Sequence, residues 1–298
     1  MYSSAGGRLM AEQVDLLIAG CGYLGLRVAH DWIAQGYSVS ALTRSRERAD
    51  EFKSAGIQPI VLDLSSSTSV SELPTAQFVL WAVGFDRNAG VSREAIWNDG
   101  LERFLNALPD SPERFVYISS TSVYGSGDGS IVSESTPVSP VTEGGKSCVA
   151  AEDRVRQFFA DTPTAGHILR LAGIYGPERL LRRVQDLKDE VPLPGDPESL
   201  LNLVHVDDAV RLVQLIMTQD SMPPILNGVA PQSVSRRRYY GHLASLTSCP
   251  APVFDAGQSP RRGGNRKVIS EHHHLLEQAF RFPDCLAGLE DAVNRSSL

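Results

Sequence analysis

The stretch LLIAGCGYLG, residues 16–25, joins an apolar run to three glycines, Gly20, Gly22 and Gly25, in the spacing G-x-G-x-x-G. The residues before it, VDLLIAG, read as a short buried strand. Those after it, YLGLRVAHDWIAQG (23–36), have helical spacing and stop at Gly36. Between a strand and a helix this pattern is a dinucleotide fingerprint. The first glycine allows a tight turn, the second lets backbone approach a pyrophosphate, and the third lets helix pack on strand. The phosphates would then lie on the N–H groups at the positive end of the helix, where Tyr23 and Leu24 stand.

Outward from this loop the first half of the chain alternates. YSVSALTR (37–44), IQPIVLDL (57–64), AQFVLWAVG (76–84), ERFVYISSTSVYG (113–125) and AGHILRLAGIYGP (165–177) read as strands. SRERADEFKSAG (45–56), SREAIWNDGLERFLNALP (92–109) and GGKSCVAAEDRVRQFFAD (144–161) read as helices. Strands alternating with helices of this length imply crossover connections and a parallel sheet. The expected fold is therefore α/β, a Rossmann-type doubly wound parallel sheet. After the sixth strand, prolines and arginines break the rhythm (VPLPGDPES, MPPI, CPAPV, SPRRGG). This suggests a smaller C-terminal substrate lobe. The expected division is a flexible leader over 1–13, a core over 14–171 rejoined by about 203–229, and a lobe from 172–202 and 230–298. The helix HVDDAVRLVQLIMTQ (205–219) is expected to take Asp207 as its N-cap.

The end of the second strand bears on which dinucleotide is held. NAD sites usually place Asp or Glu there. This chain has Thr43 and Arg44, followed by Ser45, Arg46 and Arg48. A guanidinium suits a 2′-phosphate, so NADP is expected over NAD. Arg46 and Arg48 also fit a solvated helix start. Asp63 closes the third strand, where it could face the adenine amino group or cap the next segment. Leu64, Ala82, Val83, Gly84 and Leu171, at further strand ends, complete the expected cofactor contacts.

The 298 residues carry a net charge of −7, with 42% hydrophobic and 21% charged side chains. That is an ordinary globular composition, without the broad basic surface that nucleic acid needs. No run reaches the length of a membrane span. Cys21, Cys148, Cys249 and Cys285 are scattered without metal-ligand spacing, as expected of reduced thiols in a cytoplasmic protein. His272, His273 and His274 are consecutive, so they fan around a helix instead of forming a metal site.

ISSTSVYG, GIYGP and NLVHVDDAV, in that order, resemble the extended short-chain dehydrogenase/reductase superfamily, the NAD(P)-dependent epimerase/dehydratase group. LRLAGIYGPERL, GNRKVIS and RFPD resemble an atypical bacterial branch of it. The resemblance covers about residues 14 to 290 and implies a Rossmann core with a small substrate lobe. It also implies a catalytic Ser or Thr and a Y-x-x-x-K pair. Ser120 matches the first and Lys146 the lysine, which in the family also holds the nicotinamide ribose. Thr142 stands where the tyrosine would be. A phenol starts near pKa 10, and an aliphatic hydroxyl ionises far less readily. Losing a general acid typically lowers the rate by about 10²- to 10⁴-fold. Tyr124 or Glu143 could fill the gap, or the substrate could be an imine that needs no acid.

Gly173 replaces the Asn that nucleotide-sugar members of the family commonly carry, which argues against such a sugar. Arg179, Arg182, Arg183, Arg236, Arg237, Arg238, Arg261 and Arg262 could meet an anionic substrate, or simply be solvated. In the family His205, Asp207 and Asp208 seat a helix against the core. The expected function is NADP-dependent oxidoreduction or epimerase-like chemistry on a small carbonyl or imine, by a monomer or homodimer without membrane or nucleic-acid partners. The alternative is a non-catalytic NAD(P)-binding regulatory or interaction protein.

Overall fold

The computed structural model describes residues 13–66, 73–86, 90–125, 128–258 and 265–296. Most of the expected leader, and Arg261 and Arg262, lie outside them. In chain order the elements begin β1 (Gln13–Ala19), α1 (Tyr23–Ala34), β2 (Val39–Thr43), α2 (Arg46–Ser54), β3 (Gln58–Val61) and β4 (Thr75–Trp81). Next come α3 (Arg93–Trp97), α4 (Asp99–Asn106), β5 (Arg114–Ser120), β6 (Asp128–Val132), α5 (Glu143–Phe159), β7 (Ala165–Leu171) and β8 (Gly173–Tyr175). They continue with α6 (Leu181–Lys188), β9 (Leu193–Pro194), β10 (Leu200–Leu201), β11 (Leu203–His205), α7 (Val206–Thr218), β12 (Ile225–Gly228) and β13 (Val234–Ser235). The last are α8 (Arg236–Leu246), β14 (Phe254–Asp255), β15 (Asn265–Val268), α9 (His273–Leu276) and α10 (Cys285–Asn294).

The main sheet has seven strands in the order β12-β7-β5-β4-β1-β2-β3, and the α/β Rossmann-type class expected from the alternation is the class observed. The sixth expected strand divides into β7 and β8, and β12 joins the sheet as well. The chain forms two compact units, Met1–Phe115 with Phe158–Ala165, and Val116–Gln157 with Gly166–Leu298. The residues expected to form the substrate lobe fall inside the second.

In the first unit β1 pairs in parallel with β2 and β4, and β2 with β3. A strand with a neighbour on each edge and both faces covered reads as continuous apolar sequence, and Leu16 to Ala19 are wholly buried. Helix α1 turns Leu24, Gly25, Val28, Ala29 and Trp32 inward. Trp32 lies edge-on to Phe78 of β4, with ring centroids 5.2 Å apart. Such a pair is worth about 0.5–1.5 kcal/mol beyond its buried area.

In the second unit β12 pairs in parallel with β7, and short pairs join β8 to β11, β9 to β14, β10 to β13 and β6 to β15. A core of its own gathers Tyr175, Leu180, Val184, Leu193, Tyr239, Leu243 and Leu289 from both stretches of the expected lobe. Helix α7 begins at Val206 and its N-cap is His205, whose Nδ1 accepts from the Asp207 N–H at 3.2 Å. The expected Asp207 cap is thus corrected. A ring nitrogen two residues earlier takes the orphan donor, and Asp207 lies in the first turn.

Candidate functional site

In the first unit the glycine loop is built by close approach. Gly20 has φ +90°, and a Cβ there would lie 2.4 Å from the Ala82 carbonyl carbon and the Val83 nitrogen. A Cβ on Gly25 would lie 2.5 Å from the Gly20 oxygen. Neither position admits a side chain. Gly22 differs, because a Cβ there meets nothing within 4 Å. Gly22 caps α1 without a side-chain hydrogen bond, and the first turn holds no acidic residue. The arrangement is an open backbone cradle at a helix N-terminus, which fits a dinucleotide pyrophosphate. Ala82, Val83 and Gly84 follow β4, and the Ala82 N–H donates to Ala19 oxygen at 2.7 Å.

At the end of β2, Thr43 Oγ1 accepts from the Ser45 N–H at 3.2 Å, and Ser45 caps α2. Arg44 is half exposed and comes no closer than 4.0 Å to Asp86. Half of its side chain remains open to solvent. Asp63 uses Oδ1 on the N–H and hydroxyl of Ser65, at 2.9 and 2.7 Å. Those bonds, helped by the charges of Arg44 and Arg103, hold its carboxyl below the usual range despite some burial. Leu64, next to it, is buried. Sequence reasoning left Arg48 as a possible surface residue. The structure shows its Nη2 donating to the Cys21 carbonyl at 2.9 Å, bracing the glycine loop from α2. Burial pushes the Cys21 thiol up to about 12, against a smaller opposing effect of Arg48, so it stays protonated.

In the second unit Ser120 ends β5, and its Oγ accepts from the Ser122 N–H at 3.1 Å. Helix α5 starts close by. A Cβ on Gly145 would lie 2.5 Å from the Ser122 oxygen, so a glycine lets the first turn of α5 reach the Ser120 turn. Thr142 caps this helix, its Oγ1 accepting from the Gly145 N–H at 3.1 Å. That local role accounts for a threonine here. Lys146 projects from the first turn, largely exposed, and donates to Glu143 Oε1 at 2.8 Å. Leu171 is buried at the end of β7.

Tyr124 is 1% exposed. Its hydroxyl donates to Asn227 Oδ1 at 2.9 Å and accepts from Arg170 Nη1 at 3.0 Å. Burial raises its pKa, outweighing the opposing effect of Arg170. Arg170 in turn forks onto Glu152, at 3.0 Å from Nε to Oε1 and 2.6 Å from Nη2 to Oε2. Glu152 Oε1 accepts the Ser119 hydroxyl. Sequence reasoning missed this buried chain. Its members stand at scattered positions on β5, the turn after it, α5, β7 and β12, with no spacing to join them.

His205, Asp207 and Asp291 place ligand-type atoms within 4.8 Å of one another. The His205 Nδ1 lone pair is taken by the Asp207 N–H. The ring proton of the neutral imidazole therefore sits on Nε2, 3.6 Å from Asp291. Arg295 already places one Nη1 on both carboxylates, at 2.5 and 2.8 Å. Arg295 thus ties Asp207 of α7 to Asp291 of α10 beside the His205 ring. Asp208, fully buried, accepts from the N–H groups of Arg281 and Phe282 at 2.7 and 3.2 Å. These bonds hold the RFPD turn (281–284) against the first turn of α7. Among the lobe arginines, Arg183 pairs with Asp186 and Arg237 with Glu198, while Arg236 donates to the Pro194 carbonyl. No disulfide joins the four cysteines, and no helix among the described residues is long and apolar enough to cross a membrane.

The model of the NAD dependent epimerase/dehydratase family matches residues 16–227. Protein YeeZ of Escherichia coli K12 is 29% identical over 276 residues, covering 90% of this chain and 96% of that protein. Among solved structures, MoeE5 in complex with UDP-glucuronic acid and NAD superposes with a TM-score of 0.76 at 23% identity. The UDP-glucose 4-epimerase of Thermotoga maritima gives 0.75 at 18%. Each alignment covers 94% of this chain and 98% of the other, and at these identities the likeness speaks to the fold alone.

Proposed function

The chain belongs to the NAD dependent epimerase/dehydratase family, and on that premise we propose that it is an NADP-dependent oxidoreductase acting on a small carbonyl or imine. The observation that carries this reading is the open cradle at Gly22, on the same unit as the half-exposed Arg44. The backbone of Gly20, Gly22, Tyr23, Leu24 and Gly25 would hold the pyrophosphate. Thr43 and Arg44 would hold the 2′-phosphate of the adenosine ribose. Asp63, Leu64, Ala82, Val83, Gly84 and Leu171 are assigned to the adenine and the remaining contacts, and Lys146 to the nicotinamide ribose. When bound, the nicotinamide ring supplies two-electron reduction or oxidation. A reducing cytoplasm suits four cysteines that form no disulfide.

The chain's own part is to orient and protonate. Ser120 and Thr142 each spend a lone pair on a backbone N–H. Each hydroxyl therefore keeps its proton to donate to a substrate oxygen or nitrogen. Neither can ionise as a phenol does, so an iminium-like acceptor that already carries charge suits this pair better than a plain ketone. Tyr124 is committed to Asn227 and Arg170, and the reading does not use it as the acid. A glycine at position 173, where nucleotide-sugar members of the family commonly carry Asn, supports a substrate other than a nucleotide sugar.

The test is NADPH consumption against a panel of carbonyls and cyclic imines, with Lys146→Ala as control. Turnover of at least one imine, lost in the control, is expected. Thr142→Tyr should raise carbonyl reduction, by about 10²-fold at the low end for a general acid. It also removes a helix cap worth about 1 kcal/mol. No turnover by either protein with any member of the panel would sink the reading.

A further inference from the structure

Three side chains of the second unit hold the turn that follows Ser120. Glu152 accepts from the Ser119 hydroxyl, and Arg170 donates to the Tyr124 hydroxyl. The third is Arg266, on β15. Its Nη1 donates to the Gly125 carbonyl at 2.6 Å and its Nη2 to the Thr121 carbonyl at 2.9 Å. Those carbonyls belong to the residue just after Ser120 and the residue just after Tyr124. One planar fork thus bridges the two ends of the turn, a geometry that suits a guanidinium and not a point-like ammonium.

The setting of this arginine is unusual. Arg170, the other deeply buried arginine of the unit, is matched by Glu152. Arg266 is 5% exposed, pairs with no carboxylate among the described residues, and leaves Nε without a hydrogen-bond partner. Burying a guanidinium without a counter-ion is costly, and burial pushes its pKa down. The strand that carries it is held in place. The Asn202 side chain accepts from the Val268 N–H at 2.8 Å and donates to the Arg266 carbonyl at 3.0 Å. Pairing with β6 shifts register between Asn265 and Lys267, so Arg266 sits at an irregularity of the kind that re-aims side chains.

We propose that Arg266 is a positioning residue, which closes the Thr121–Gly125 turn and thereby fixes the direction of the Ser120 hydroxyl. Its importance for turnover rests on the proposed function, whereas its hold on the turn does not.

The experiment uses the full chain, wild type and as Arg266→Ala and Arg266→Lys. Amide hydrogen exchange is followed at the Ser120–Gly125 turn and in α7, with and without guanidinium at a concentration too low to denature. In both variants exchange at the turn should rise by about tenfold or more, the loss of one charge-assisted hydrogen bond. Exchange in α7 should stay unchanged. Added guanidinium should restore protection to Arg266→Ala. On any substrate that is turned over, kcat should fall while NADPH affinity, read separately by calorimetry, stays within about twofold. If Arg266→Ala does not fold, Arg266→Lys, which keeps the charge, decides the matter. Unchanged exchange at the turn, full protection by lysine, or no response to guanidinium would overturn the proposal. Failure of the wild type to bind NADPH would overturn the proposed function instead, and leave the exchange result standing.

Discussion

Gly22 and Gly25 stand three residues apart in one loop, yet their substitution should fail in different ways. A Cβ on Gly25 would lie 2.5 Å from the Gly20 oxygen, about 1 Å inside an ordinary C···O contact. The opposing atom is backbone and cannot swing aside. Overpacking of this kind costs about 1–3 kcal/mol, against about 1 kcal/mol regained in helix propensity. Gly25→Ala should therefore lower Tm by a few degrees, at about 2–4 °C per kcal/mol for a large domain. Gly22 has open space, and its φ of −93° lies outside the left-handed region that favours glycine. Gly22→Val meets no such clash and should lower Tm less than Gly25→Ala does. The branched side chain would instead occupy the cradle. It should remove at least one charge-assisted phosphate contact of about 1.5–3 kcal/mol, which is about ten- to a hundredfold or more in Kd. NADPH and NADH should be affected alike. Differential scanning calorimetry and titration calorimetry on the two variants give both quantities. If Gly22→Val binds NADPH as wild type does, the loop is not the phosphate site. If it melts as early as Gly25→Ala, the space at Gly22 is not open in solution.

Arg44→Ala should weaken NADP binding by about ten- to a hundredfold and leave NAD little changed. Arg48→Ala, by releasing the Cys21 carbonyl, should weaken both equally; identical patterns in the two variants, by titration calorimetry, would refute the separate roles. Tyr124→Phe strips a buried hydroxyl from Arg170 and Asn227 and should destabilise the protein by about 1–3 kcal/mol in urea titrations. Unaltered stability with abolished turnover would instead make that phenol the missing acid. Burial raises the Asp208 carboxyl to about 6, against the opposing Arg281 and Phe282 N–H bonds, so its pKa is higher folded than unfolded. The stability it contributes is fully present below about pH 4 and is lost as pH rises through about 6. Wild type should therefore exceed Asp208→Asn in stability by a wider margin at about pH 5 than at about pH 7.5. His205, lowered by burial, acts in the opposite sense but is common to both proteins and cancels.

The alternation of strands and helices sufficed for the fold class, and the glycine spacing for a tight strand-to-helix turn. Both are local. A strand covered on both faces must read as a continuous apolar run, as Leu16–Ala19 does, and a turn too tight for a Cβ must be glycine, as Gly20 is. The positions of Ser120 at the end of β5 and Lys146 in the first turn of α5 are local in the same way. Local pattern also misled once, since a ring nitrogen at His205 caps α7 as well as the expected aspartate would.

What the sequence could not disclose are the pairings between residues far apart in the chain. Arg48 with the Cys21 carbonyl, Tyr124 with Asn227, and Arg266 with the Thr121 and Gly125 carbonyls are separated by 27, 103, 145 and 141 positions. Their chemistry depends on which buried donor meets which buried acceptor. Tyr124 and Thr142 show the consequence. Both read as occupants of an acid position, and only burial and hydrogen bonding reveal one as the centre of a buried network and the other as a helix cap. Periodicity reports which face of an element is apolar. It carries no information about the partner across the core, and that partner sets whether a hydroxyl, a guanidinium or a carboxylate is left able to act.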